Sequence, residues 1–405
     1  MSMPTTHISA FRSPAYRHYF PAAIFSTLGS WILRFLLGWS AWELTHSATW
    51  VGATAGLMLA PALLLSPLFG IVSDRINPRN GLLLTIGAHA ALACAAGAAV
   101  YAGLFRLPVL LTIALALGVA TSAHTPIRLA LVPLLVPRES LPSAIGYSAI
   151  VFNTSRILGP ALGAWLLHAA SPAAAYISGA ALMLGSLPFL AFIPGRVGER
   201  GSAEGAGFFR ELADGLDYTR GHGPIRLVLA FTLVNALLGR TIIELLPAVS
   251  GLLLAGDSAT LATLTACAGA GSILGGLVVS RQGGSEPRLF KLMNSSLALG
   301  ALLAAILGWF DNVPAVAAII AGISLITTIA GTSNQALAQL LVDEPFRGRV
   351  LSLWTMIAMG APAAGALLMG GLGDVFPLAL VLSGFAGLAL AAIAVLSRRP
   401  LARDA

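Results

Sequence analysis

The chain is 405 residues long, 57% hydrophobic and only 10% charged, with a mean hydropathy of +0.87. Soluble domains carry about 25% charged residues, so this composition excludes a soluble domain and places most of the chain in lipid. The pI of about 10.1 does not mark a nucleic-acid binder, because the 23 Lys and Arg are scattered through short loops rather than massed in one patch.

A bilayer-spanning helix needs roughly 20 mainly apolar residues. The apolar runs predict twelve such spans, at 20–43, 50–73, 81–102, 108–131, 143–168, 173–193, 226–250, 258–280, 289–309, 313–338, 349–371 and 375–396. The first, Phe20 to Trp42, is longer than a signal-peptide core and is followed at once by the second, so it is expected as a transmembrane helix. Pro61, Pro67, Pro126, Pro160 and Pro362 fall inside spans, where neighbouring helices can satisfy the freed carbonyls and proline kinks rather than ends a helix. Cys94 and Cys267 lie within apolar runs and lack zinc-type spacing, which reads as two small buried hydrophobes and no metal site.

Between spans six and seven, Gly195 to Gly207 is polar and Gly-rich, a flexible linker by composition. Phe208, Leu212 and Leu216 then recur at four-residue spacing, which suits an amphipathic helix on the membrane surface. The expected division is a six-helix bundle over 1–193, a linker over 194–225 and a second six-helix bundle over 226–405. With twelve spans both termini share one side. By count, 18 Lys and Arg lie there, while the opposite loops hold only Arg106 beside Asp257, Asp311 and Asp374. Positive charge marks the cytoplasmic side, so the termini and linker are expected in the cytoplasm and the chain in the inner (plasma) membrane.

The chain also repeats. Gly70-Ile-Val-Ser-Asp74-Arg75, with Arg79 beyond, stands where span two ends, and Gly276-Leu-Val-Val-Ser280-Arg281 stands 206 residues later where another span ends. The same shift carries Arg34 onto Arg240, Thr121 onto Thr327 and Leu134-Leu135-Val136 onto Leu340-Leu341-Val342. Several coincidences at one offset mean two parallel halves, and such halves place a substrate site near the midplane at their interface.

Charge inside the spans narrows the choice of working residues, since an Arg or Asp near the bilayer centre costs roughly 2.5–3.5 kcal/mol. Arg34 shares a stripe with Ser26, Ser30 and Gly38; Arg240 shares one with Thr232, Ala236 and Glu244, with Asn235 alongside. Glu244 lies one turn beyond Arg240, a spacing at which the side chains meet. It is either a protonatable coupling residue held ionised by Arg240 or half of a static ion pair. Span ten carries Ser324, Thr328, Thr332, Gln335 and Gln339 with Asn334 beside them, a stripe that can line a pore or join a neighbouring helix. Span four has Thr121, His124, Thr125 and Arg128; His124 and, in span three, His89 read as hydrogen-bonded helix contacts, and Arg128 as snorkelling to the interface or pairing with a loop acid. Span five combines Asn153, Arg156 and Gly159-Pro160-Ala-Leu-Gly163.

Twelve spans, a central loop and Gly-x-x-x-Asp-Arg-x-x-x-Arg between spans two and three resemble the major facilitator superfamily over nearly the whole chain. Glu43-Leu44-Thr45-His46-Ser47-Ala48 and Arg156-Ile157-Leu158-Gly159-Pro160-Ala161-Leu162-Gly163 resemble its branch of exporters similar to the enterobactin exporter. Asn77 and Pro78 depart from the usual motif, and Ser280 replaces the acid in the second copy.

The resemblance implies an all-α membrane protein of twelve transmembrane helices in two pseudo-symmetric six-helix bundles, acting as a monomer. It implies that helices 1, 4, 7 and 10 line the cavity, with Arg34, Ser30, Arg240, Glu244, Asn235, Thr328, Thr332, Gln335, Asn153 and Arg156 along the substrate and proton pathway. Gly70, Asp74, Arg75 and Arg79 would form a cytoplasmic latch that holds the outward-facing state. Gly159, Pro160 and Gly163 would be the antiporter motif that packs helix 5 tightly against the other half.

No phosphate-cradling loop, zinc-type pair or nucleophile elbow is present, so an enzyme is not expected and the energy must come from an ion gradient. The expected function is export of a small anionic or oxygen-rich molecule, a siderophore by the branch resemblance, in exchange for protons, with no cofactor. A broad-range drug:proton antiporter stands as the alternative within this class. A membrane sensor or scaffold that has lost transport is the alternative outside it.

Overall fold

The structure, a computed structural model, describes residues 9–193, 208–280, 285–343 and 346–398. Among these the chain is helical throughout. The helices are α1 (Pro14–Thr45), α2 (Ala48–Arg75), α3 (Pro78–Tyr101), α4 (Leu107–Leu131), α5 (Leu141–Ala169), α6 (Pro172–Ala191), α7 (Phe208–Gly221), α8 (Gly223–Asn235), α9 (Thr241–Glu244), α10 (Leu246–Leu254), α11 (Ser258–Ser280), α12 (Glu286–Leu307), α13 (Val313–Leu341), α14 (Arg347–Gly373) and α15 (Leu378–Leu396). Eleven of the described helical stretches are long and apolar enough to cross a membrane. The remaining predicted span is α2, 28 residues long and apolar over Ala48–Ala62. Pro126, Pro160 and Pro362 sit inside α4, α5 and α14 without ending them.

The 206-residue repeat extends to the element starts. Shifted by that offset, Leu107 of α4 falls on Val313 of α13, Leu141 of α5 on Arg347 of α14, and Pro172 of α6 on Leu378 of α15.

Two compact units emerge: Met1–Leu37 with Leu64–Glu204, and Gly38–Leu63 with Gly205–Ala405. In the first, α1 packs backbone-close on its neighbours, because small residues let helices approach where no hydrophobic force drives them together. A Cβ on Gly29 would stand 2.7 Å from the carbonyl oxygen of Gly179. At the terminal end, Phe11, Phe20 and Tyr147 form an edge-to-face cluster, with Phe11–Phe20 centroids 4.8 Å apart and Phe11–Tyr147 centroids 4.9 Å apart. The Tyr16 hydroxyl donates to the Ala144 carbonyl at 3.2 Å.

The second unit has its core where α8 meets α12, α13, α14 and α15, around Val228, Phe231, Met293, Leu337, Val350 and Ile393. Helix α7 docks on this unit at the α13–α14 turn. Tyr218 lies between His222 and Phe346, with ring centroids at 3.8 and 4.3 Å. Its hydroxyl donates to Asp343 Oδ2 at 2.9 Å and accepts from the Asp343 N–H at 3.1 Å. Arg349 pairs with Asp214 at 3.5 Å. The sequence expectation for this helix was a surface stripe; Phe208 and Leu212 have side chains outside the described residues, and Leu216 is exposed. Tyr218, two positions on, faces the protein. Tyr218→Phe deletes both bonds to Asp343 and should cost roughly 1 kcal/mol, read as a lower thermal midpoint of the detergent-solubilised protein with its far-UV spectrum unchanged.

Candidate functional site

Predicted span seven, expected as one continuous helix over 226–250, is interrupted twice. Ala236–Arg240 winds as a wide π-turn, in which the Thr241 hydroxyl donates to the Ala236 carbonyl five residues back at 3.1 Å. At Leu245 the helix breaks (φ −91°, ψ 7°) before Pro247. Proline lacks an N–H, and its ring collides with the carbonyl four residues earlier, so the chain restarts as α10 rather than continuing. Single π-turns inside α-helices are frequent at functional sites; Arg240 is the last residue of this one, and Glu244 stands just before the break at Leu245.

Arg240 Nε donates to Glu244 Oε1 at 3.3 Å. The pair is lopsided: the Glu244 side chain is 9% exposed and that of Arg240 39%. The carboxylate is thus covered while the guanidinium keeps an open side. α13 closes in beside them, since a Cβ on Gly239 would lie 2.0 Å from Thr327 Oγ1. One turn earlier, Asn235 Nδ2 donates to the Thr327 carbonyl at 3.4 Å and sits against Gly331, so Asn235 faces α13.

The polar stripe of α13 keeps one face but changes neighbours along its length. Its first two members are taken up by α11: Ser324 and Ser272 hydroxyls lie 2.9 Å apart, and Thr328 donates to Ser272 Oγ at 3.0 Å. The seam is backbone-tight, with a Cβ on Gly271 only 2.1 Å from the Ala321 carbonyl oxygen. Asn334 is buried and donates to Thr232 Oγ1 of α8 at 3.0 Å. Thr332, Gln335 and Gln339 stay exposed. The stripe is therefore part helix seam and part open face, a split that spacing alone does not reveal.

In the first unit, Arg34 lies in the middle of α1 with its guanidinium 5.9 Å from the Trp31 ring centroid, within cation–π range. The Ser30 hydroxyl donates to the Ser26 carbonyl at 2.8 Å, and Asn153 donates to the Ala149 carbonyl at 2.9 Å, each within its own helix. Arg156 is half-buried on α5. Gly159 and Gly163 are packing points: the atoms nearest to an added Cβ belong to Trp31, Ile32 and Phe35 of α1 in the same unit, where the resemblance implied contact with the other half. Gly70, Asp74 and Arg75 lie in α2 with side chains outside the described residues, as does that of Ser280. Arg79 is described, and its guanidinium donates to the carbonyls of Leu190 and Ala191 at 3.1 and 2.5 Å. It caps the C-terminal end of α6, where a cation is favoured by the helix dipole.

One network escaped the sequence reading, which took His89 and His124 separately. The two rings lie 5.5 Å apart between α3 and α4. His89 Nδ1 is 2.7 Å from the Thr85 carbonyl oxygen, which can only accept, so the proton is on Nδ1 and Nε2 accepts from Thr121 at 3.2 Å. Thr85 Oγ1 donates to the Leu82 carbonyl at 3.2 Å, leaving His124 Nδ1–H to donate to Thr85 Oγ1 at 3.2 Å. Arg128 faces the hydroxyl of buried Tyr19 on α1. The thirty-four residues between His89 and His124 hid the first pairing, and Tyr19 stands just ahead of the predicted first span, where spacing gives it no partner.

A family described as transmembrane secretion effector matches residues 5–404. The chain is 26% identical over 371 residues to the staphyloferrin A transporter of Staphylococcus aureus, covering 89% of this chain and 90% of the relative. It is 27% identical over 357 residues to macrolide efflux protein A of Streptococcus pyogenes, covering 85% of each. Among solved structures, the nucleoside transporter NupG aligns with a TM-score of 0.69 at 13% identity, covering 95% of this chain and 98% of that one. The human organic anion transporter MFSD10 aligns with a TM-score of 0.66 at 16% identity, covering 95% and 99%. At such identities the solved structures speak for the fold alone.

Proposed function

We propose, from the premise that this chain belongs to the transmembrane secretion effector family of major facilitator transporters, that it exports a small anionic or oxygen-rich molecule in exchange for protons. It is a transporter and not an enzyme. The observation that carries the reading is the Arg240–Glu244 pair, one partner covered and the other open, set from the end of the π-turn to the break at Leu245. An anionic substrate engaging the open face of Arg240 would leave Glu244 paired and ionised and would cover the approach to it. With the site empty, Glu244 would be reached and take a proton. Substrate occupancy and a protonated Glu244 would then exclude each other, which is the requirement for antiport. Thr332 and Gln335, exposed on α13 in the same unit, would offer hydrogen bonds to that substrate.

Intramembrane arginine outnumbers acid at these positions, which supports an oxygen-rich cargo of the siderophore class, in keeping with a relative named for staphyloferrin A transport. The relatives named for macrolide efflux support the second reading, a broad-range drug:proton antiporter. Purified protein in liposomes separates them. Under an imposed proton gradient, uptake of a polycarboxylate chelator into inverted vesicles is expected, with little movement of a macrolide. The opposite preference favours the drug antiporter, and binding without flux of either removes transport altogether. The expected orientation, termini in the cytoplasm, is checked by accessibility of a tag at Ala405.

A further inference from the structure

The six-residue stretch Glu43–Ala48, singled out by its resemblance, builds an unusually occupied helix start. α1 gives way to α2 across His46 and Ser47, with His46 in the left-handed region at φ +47°. The first N–H groups of a helix have no partner within it, and here each finds one. Asp374, which caps the far end of α14, accepts from the Ala48 N–H at 2.7 Å, the Thr49 N–H at 3.1 Å and the Ser47 hydroxyl at 2.5 Å. Ser47 Oγ in turn accepts from the Trp50 N–H at 3.4 Å. A carboxylate from 326 residues away thus joins the local cap, at the end of the helix where the dipole favours negative charge. Burial pushes the Asp374 carboxyl up, but the bonds from Ser47, Thr49 and Ala48 outweigh it and hold the group below its ordinary range.

Below this contact the two helices touch backbone to backbone. A Cβ on Gly52 would stand 2.2 Å from the Ala366 carbonyl oxygen, and one on Gly370 would stand 2.4 Å from that of Ala48. Beside them Trp42 of α1 lies flat on Gly251 of α10. These contacts are why Gly38–Leu63 belongs to the second unit, although α1 before Leu37 and α2 after Leu64 belong to the first. Two helices therefore change allegiance in mid-length. If α1 and α2 move as whole helices during transport, the seam that 38–63 forms with α10 and α14 must come apart, and its one charged tie among the described residues is Asp374.

We propose that Asp374 is a gating residue, a latch whose carboxylate holds the start of α2 against the end of α14 and is released once per transport cycle. The latch works by charge-assisted hydrogen bonds to groups that water can satisfy equally well when the seam opens, so it closes firmly without locking. The proposal rests on the alternating-access part of the reading above, and not on the cargo or its direction.

The test uses the full chain in lipid nanodiscs, with Cys94 and Cys267 replaced by serine and spin labels at Leu44→Cys and Leu380→Cys, both exposed positions flanking the seam. Asp374→Asn, isosteric but uncharged, is expected to raise the population of the longer inter-label distance about 10-fold relative to the parent. Ser47→Ala, which keeps the carboxylate on its two backbone donors, should raise it about threefold. A distance distribution unchanged by Asp374→Asn overturns the latch. So does a fall in thermal midpoint without a change in distances, which would make Asp374 a static cap. Flux plays no part in this readout, so failure of the export reading leaves its outcome intact.

Discussion

Glu244→Gln should abolish proton-driven flux while leaving a folded protein that still binds substrate. The neutral amide can accept from Arg240 Nε much as the carboxylate does at 3.3 Å, so the local geometry survives, but no proton can be taken up and given back. Because the Arg240 side chain is 39% exposed, its unpaired charge remains solvated and the expected loss of stability is only about 1 kcal/mol. The reverse variant behaves differently. Arg240→Gln removes the arginine from a carboxylate that is 9% exposed, and breaking a covered pair from that side costs roughly 3 kcal/mol. Comparing the two thermal midpoints in detergent, alongside gradient-driven flux in liposomes, checks both halves. Undiminished flux in Glu244→Gln removes the residue from the coupling mechanism. Equal destabilisation by the two variants contradicts the unequal cover of the pair.

The second large effect is steric. Gly239→Val places a branched side chain where a single Cβ already lies 2.0 Å from Thr327 Oγ1 and 3.1 Å from Thr327 Cβ. Neither side can yield cheaply, because the π-turn is fixed by Thr241 and α13 is held on its other side by α11. Overpacking of this kind costs about 1–3 kcal/mol, and the expected result is a lower thermal midpoint together with loss of transport. Thr327→Gly alone should be mild, and combined with Gly239→Val it should recover part of both losses. A double-mutant cycle showing no coupling between the two positions would refute the close approach.

Legibility of this chain from its sequence follows the range of the forces involved. Apolar runs of membrane-spanning length are a local signal, and they marked out the helices of both halves. The repeat was equally plain, because coincidences such as Arg34 with Arg240 need only counting, and the starts of α4, α5 and α6 recur in α13, α14 and α15 at the same offset. The Arg240–Glu244 contact was also readable, since four-residue spacing brings side chains together on one helix face. What stayed hidden depends on partners far apart in the chain. Spacing does not say which members of the α13 stripe α11 will cover, nor that Tyr218 rather than Leu216 grips the α13–α14 turn. The interruptions of the seventh span had a partial signal in Pro247, but the π-turn before it lies against Thr327, some ninety residues on, where local spacing carries no signal. Asp374 looked like one of three loop acids and carried no mark of its role as a helix cap.

The division of α1 and α2 between the units bears on engineering. A chimera that joined residues 205–405 of this chain to another transporter's first half would receive foreign side chains against Ala366, Gly370 and Gly251, where there is no room for anything but glycine, alanine and one flat indole. The halves are thus not interchangeable modules cut at the linker. A graft that carries Gly38–Leu63 along with the second half keeps its own lining, and places the foreign junctions inside two helices rather than between them.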